Sequence, residues 1–130
     1  MGTWGPGNFD NDGAHDYANE LLHQLRERVA KAFKKKHGPS IDGDGEEVVV
    51  PSIFIMGLLA THCKAALPKS SLLTQWKAKY LEIYDDQIDG LEPQGDYKQK
   101  RRRTIANTFN KVIRLSREQE GRGAGEEAGR

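Results

Sequence analysis

Cysteine is almost absent from this chain, large aromatics are few, and neither sign of charge prevails. The single cysteine, Cys63, excludes an intrachain disulfide. A Cys/His zinc centre takes about four ligands, and the four histidines that would have to complete it are scattered. With 20 basic and 19 acidic residues the net charge is +1, so no overall field draws nucleic acid or an anionic membrane. Binding of either kind would need a local patch. There is no basic and then apolar leader, and the longest apolar run, near Val48 to Ala60, contains Pro51 and Ser52 and reads as too short to span a bilayer. The expectation is a cytoplasmic protein without a membrane partner.

What is present fits one domain. A chain of 130 residues buries roughly two thirds of its unfolded surface, and two domains would each be too small. The expected division is a helical domain over 1–120, including an N-terminal arm at 1–11, and a disordered tail over 121–130. That tail holds four glycines and no large apolar side chain.

The opening stretch is the most unusual. Gly2, Gly5, Pro6 and Gly7 oppose regular helix, yet Trp4 and Phe9 carry apolar area that water disfavours. The arm is expected to fold back and set both rings into grooves between helices, with Asp10, Asn11 and Asp12 accepting free N–H groups where the first helix starts. Burial of Trp4 would make Trp4→Ala cost about 3–5 kcal/mol. The functional alternative is a pocket lined by the same glycine-rich backbone and by Trp4, Phe9, Asp10, Asn11, Asp12 and Asp16.

Apolar spacing of three and four predicts four helices. Asp12 is expected to cap the first, whose stripe runs Ala14, Ala18, Leu21, Leu22, Leu25, Val29, Ala32 and Phe33. Lys34, Lys35 and Lys36 suit its negative end, and Gly38 with Pro39 stops it. Val48 to Ala60 is apolar nearly all round; with no second strand to pair it, a central helix from Pro51 to about Leu67, ended by Pro68, is expected. Ser70 or Ser71 caps a third helix carrying Leu72, Leu73, Trp76, Tyr80, Ile83, Tyr84 and Ile88. Asp96 caps a fourth carrying Ile105, Thr108, Phe109, Val112, Ile113 and Leu115 to about Glu120.

Several constellations invite chemistry and fall short of it. Asp10 to Gly13 and Asp42 to Glu47 each begin like a calcium loop, but the sixth and twelfth positions are wrong in both. Glu20 and His23 form one Glu-x-x-His unit within a polar strip of Asp16, Glu20, His23 and Glu27; a di-iron centre needs a second unit. Cys63 adjoins His62, but helical neighbours point ~100° apart, so adjacency does not make a thiol and base pair. No catalytic residue, metal or cofactor is therefore expected. In the run Lys98 to Arg103, Arg101 and Arg102 are expected to meet Asp85, Asp86 and Asp89 across a short turn in a structural ion-pair cluster, in preference to nucleic acid.

The run from Gly2 through Trp4, Gly5, Gly7, Phe9, Asp10, Asn11 and Asp12 to Ala14 and Asp16 resembles the opening of a family of small bacterial proteins classified as a domain of unknown function. Trp76, Tyr84 with Asp85, and the segment from Arg101 and Arg102 to Phe109 are similar to that family's C-terminal half. The chain departs from the pattern at His15, Asp16 and Tyr17. The resemblance implies a mainly helical fold with no established activity. Small families of this kind include antitoxins and immunity proteins, which makes a non-catalytic, regulatory protein that binds an unknown protein partner the expected function. A metal-dependent enzyme built on Asp10, Asp12, Asp16 and Glu20 with His15 or His23 is the alternative, followed by nucleic-acid binding through Lys98 to Arg103. Oligomeric state is left open by the sequence.

Overall fold

The computed structural model describes residues 2–128, with side chains as far as Arg122. It is an all-α bundle of four helices: α1 (Asp12–Phe33), α2 (Val50–Cys63), α3 (Ser70–Gln87) and α4 (Tyr97–Ala128). A π-helical turn, Gly45–Val49, runs directly into α2, and a 3-10 turn, Ile88–Leu91, leads out of α3. Among the described residues the only extended pairing is one antiparallel bridge between Thr3 and Asn11.

Helix α1 buries Ala18, Leu22, Val29, Ala32 and Phe33, the stripe its periodicity predicts. Its cap is Asn11, one residue before the expected Asp12: the Asn11 side chain accepts the Ala14 N–H at 2.8 Å. Asp12 is instead the first helical residue, where its charge meets the positive end of the macrodipole. Helix α2 lies between α1 and α4, and α4 also packs along α3. Phe33 of α1 stacks on Trp76 of α3 with ring centroids 6.1 Å apart, so the bundle closes around one core of Val29, Val49, Ile53, Met56, Leu73, Tyr80, Ile105, Phe109 and Val112.

Both ends of α2 differ from the sequence reading. The three valines enter the helix through the π turn, with Pro51 in the first turn of α2 where a missing N–H is harmless. The helix stops at Cys63, four residues before Leu67, because Lys64 turns left-handed (φ 59°) and the next residues are held straight by other helices. Asn19 of α1 accepts the Ala66 N–H at 2.8 Å, Gln119 of α4 accepts the Leu67 N–H at 2.8 Å and donates to the Ala65 carbonyl at 3.0 Å, and the Ser116 hydroxyl donates to the Pro68 carbonyl at 2.6 Å. These bonds satisfy a backbone that has left the helix.

Neither Ser70 nor Ser71 caps α3, whose first residue is Ser70 itself. The carboxylate of Glu120 does so from α4, accepting the Ser70 N–H at 2.7 Å and the Ser70 hydroxyl at 2.9 Å. Those bonds hold the Glu120 carboxyl below its ordinary value. Helix α4 continues past Glu120, the expected end, to Ala128; the glycines there weaken helix but no proline forbids it. Of the tail expected to be disordered, 129 and 130 lie outside the described residues.

Candidate functional site

The N-terminal arm closes on itself. The Trp4 N–H donates to the Asp10 carbonyl and the Asp12 N–H to the Gly2 carbonyl, both at 2.6 Å, flanking the Thr3–Asn11 bridge. Within this loop the Asp10 carboxylate accepts the Gly7 N–H at 2.8 Å and pairs with Lys64, just beyond α2. The bond from Lys64 and then that from Gly7 hold the Asp10 carboxyl below its ordinary 3.8. A Cβ on Gly7 would lie 2.5 Å from that carboxylate, so this close approach requires glycine.

Trp4 takes an unexpected place. Its indole N–H donates to Asp12 Oδ1 at 2.9 Å, and its ring meets His15 edge-on with centroids 5.2 Å apart. His15 in turn hydrogen-bonds through Nε2 with the Lys64 carbonyl at 3.0 Å. The tryptophan is 52% exposed, which overturns its expected insertion between helices. The physical reason is that the indole N–H needs an acceptor, and Asp12 offers one at the surface. Phe9 is half-buried against the core. Trp4, Asp10, Asn11 and Asp12 thus form one hydrogen-bonded cluster with Phe9 beneath it, while Asp16 is exposed and makes no ion pair among the described residues.

The other polar candidates remain apart. Asp16, Glu20, His23 and Glu27 all face solvent on α1, and among the described residues no three His, Cys, Asp or Glu side chains converge as metal ligands. Asp42 accepts from the Ser40 hydroxyl and Asp44 pairs with Lys35. Cys63 is half-buried at the end of α2, beside exposed His62.

The basic run pairs as expected, but through only one of the two arginines named. Arg102 makes a fork to Asp85 at 2.8 and 2.9 Å, Lys98 reaches Asp89 at 2.8 Å, and Lys100 reaches Asp96 at 3.0 Å. The guanidinium of Arg102 holds the Asp85 carboxyl below the usual range. Arg101 and Asp86 make no ion pair among the described residues. Arg101, ~100° around the helix from Arg102, is half-buried and lines a cavity of about 80 Å³ with Glu46, Tyr80, Tyr84 and Tyr97. Burial pushes the Tyr80 hydroxyl up to about 12, against the lowering pull of Arg101. Sequence reasoning assigned Tyr80 to the core and Arg101 to the ion-pair cluster, and so missed this site.

A second missed feature is the outer face of α2. Phe54, Ile55 and Leu58 are 53%, 41% and 38% exposed. Beside them a groove of about 260 Å³ runs between α2 and α4, lined by Phe54, Gly57 and Leu58 on one side and Thr104, Thr108, Lys111 and Val112 on the other. The composition shows the signal in retrospect: a segment apolar on every side is too hydrophobic for a helix with one face left open. With its π turn, the Gly45–Cys63 helix has 19 residues and mean hydropathy 1.4, long and apolar enough to cross a membrane. That corrects the reading that the run is too short. A core helix passes the same test, and Val49, Val50, Ile53, Met56 and Gly57 are packed inside.

Searches of the curated proteins and of the solved structures give no match. A family model does match, over residues 2–120, and it takes in the arm, the cavity and the groove alike. The chain belongs to the family described as the domain of unknown function DUF4259.

Proposed function

We propose that this chain is a non-catalytic protein-binding domain that docks an amphipathic helix of a partner along the outer face of α2. The observation that carries the reading is the exposed triplet Phe54, Ile55 and Leu58 beside an apolar-floored groove. Positions 54 and 58 are one helical turn apart, as are 104 and 108 opposite them, which gives the groove the direction of a helix. Its α4 side is basic: Lys111 lines it, exposed Arg103 and Arg114 stand one helical turn from the lining residues Asn107 and Lys111, and none of the three has an acidic partner among the described residues. The partner helix therefore carries apolar residues with acidic neighbours. A second copy of this chain would bring the same cations to the rim, which disfavours self-pairing.

Regulation by binding alone, in the manner of an immunity protein or antitoxin, suits a domain of this size. Nucleic-acid binding is disfavoured, since Lys98, Lys100 and Arg102 already have carboxylate partners.

The test is affinity capture from source cells with the wild type, with the double variant Phe54→Glu and Leu58→Glu, and with Trp4→Ala, each checked for an unchanged helical spectrum. The expected result is a protein retained by Trp4→Ala and lost by the double variant, with purified partner binding at least about tenfold weaker. Association with phosphatidylcholine and phosphatidylglycerol vesicles, or self-association in sedimentation velocity, abolished by the same double substitution would overturn the proposal.

A further inference from the structure

The cavity behind Tyr80 has a composition that a structural void does not need. Its walls are apolar where Ile41, Ile88 and Ile105 are buried, while its polar groups come from three separate elements: Glu46 from the π turn, Tyr80 from α3 and Arg101 from α4. Tyr80 is 1% exposed, yet its hydroxyl makes no hydrogen bond among the described residues. Among the described residues no fully buried side-chain oxygen or nitrogen lacks a partner, so that hydroxyl opens on the cavity it lines. Tyr84, the neighbouring phenol, differs: it donates to the Lys98 carbonyl at 2.8 Å. Arg101 is half-buried and Glu46 sits at the exposed mouth, and the Arg101 guanidinium lies within 4.0 Å of no described carboxylate, Glu46 included. One donor hydroxyl, one cation and one anion thus border the same small space without pairing with each other.

We propose that this cavity binds a small zwitterion, an amino acid of the size of free glycine or alanine. The carboxylate is held by the Arg101 fork and the Tyr80 hydroxyl, and the ammonium by Glu46. An arginine fork matches the two oxygens of a carboxylate, and a tyrosine hydroxyl adds a third donor. A simple carboxylate would be repelled by Glu46 and a simple amine by Arg101, whereas a zwitterion meets both charges with their complements. The space is small, about 80 Å³, well below the ~300 Å³ or more of pockets that take drug-sized ligands, and so it suits a compact ligand. Gly45 fixes the wall: a Cβ there would lie 2.6 Å from both the Tyr80 hydroxyl and the Ser40 carbonyl, so any larger residue would push the phenol out of place.

The experiment is titration of the ¹⁵N-labelled protein with free glycine, acetate and methylammonium, followed by amide shifts. Free glycine is expected to give saturable shifts confined to the neighbourhood of Gly45, Tyr80, Tyr97 and Arg101, with acetate and methylammonium at least about tenfold weaker. Arg101→Gln and Tyr80→Phe should each weaken free glycine about tenfold. Glu46→Gln should weaken free glycine while strengthening acetate. Tyr80→Phe keeps the ring and serves should Arg101→Gln unfold. Absence of saturable shifts with free glycine, or shifts unaffected by Tyr80→Phe, would overturn the site. Acetate binding as tightly as free glycine, with Glu46→Gln indifferent, would overturn the zwitterion.

Discussion

The arm over residues 2–12 and the cavity at Tyr80 both set aromatic side chains among charged groups, and they differ in how far those groups are satisfied. In the arm, Asp10 has Lys64 and the Gly7 N–H, Asn11 has the Ala14 N–H, and Asp12 has the Trp4 indole. Each conspicuous side chain of the motif is engaged by another part of the same chain. At the cavity, Tyr80, Arg101 and Glu46 come from three elements and none has a partner among the described residues. The most distinctive residues in a sequence can thus be those that hold the chain to itself, while capacity for a ligand sits among residues that look ordinary one by one.

Energetics should divide the two regions in the same way. Phe109 is fully buried behind the cavity, with its ring 6.2 Å from that of Tyr80. Phe109→Ala removes a packed aromatic from the centre of the bundle and should cost about 3–5 kcal/mol in urea unfolding. Trp4→Ala removes one hydrogen bond to Asp12 and one edge contact with His15 from a half-exposed ring. It should cost only about 1 kcal/mol. Equal losses for the two variants would break the contrast, because they would mean that the arm is as integral to the core as the packing behind the cavity.

The amphipathic stripes of α1, α3 and α4 were legible from spacing alone, since each buries one face on a common core. So was α2 as a central helix, by the absence of any strand partner for its valines. What was hidden has two causes. Asn19, Ser116, Gln119 and Glu120 hold the α2–α3 connection across 47 to 54 residues of sequence. Nothing local distinguishes such side chains from solvated ones, and so the end of α2 and the cap of α3 were both misplaced. Arg101 and Arg102 are adjacent in sequence but ~100° apart on the helix; the register against α3 decides which meets Asp85, and one residue exchanges an ion pair for a cavity wall. Trp4 failed differently. Its area argues for burial, its N–H argues for an acceptor, and Asp12 at the surface decided between them.

The smallest effect sharpens the comparison most, because it isolates one bond of the arm. Asp10→Asn keeps an oxygen for the Gly7 N–H but removes the charge opposite Lys64. The native carboxyl is held below 3.8, so it binds a proton less readily folded than unfolded. Its contribution is therefore present above the unfolded value and is lost as pH falls through the folded one. Asp85 and Glu120 shift in the same direction, but both remain in the variant and cancel in the difference. Urea unfolding across the acid range should find Asp10→Asn slightly less stable than wild type at about pH 7, with the two curves converging as pH falls through the folded value of Asp10. Parallel curves would show that Lys64 does not hold the arm through Asp10. The self-contained character of the arm would then rest on its backbone bridge and on the Trp4–Asp12 bond.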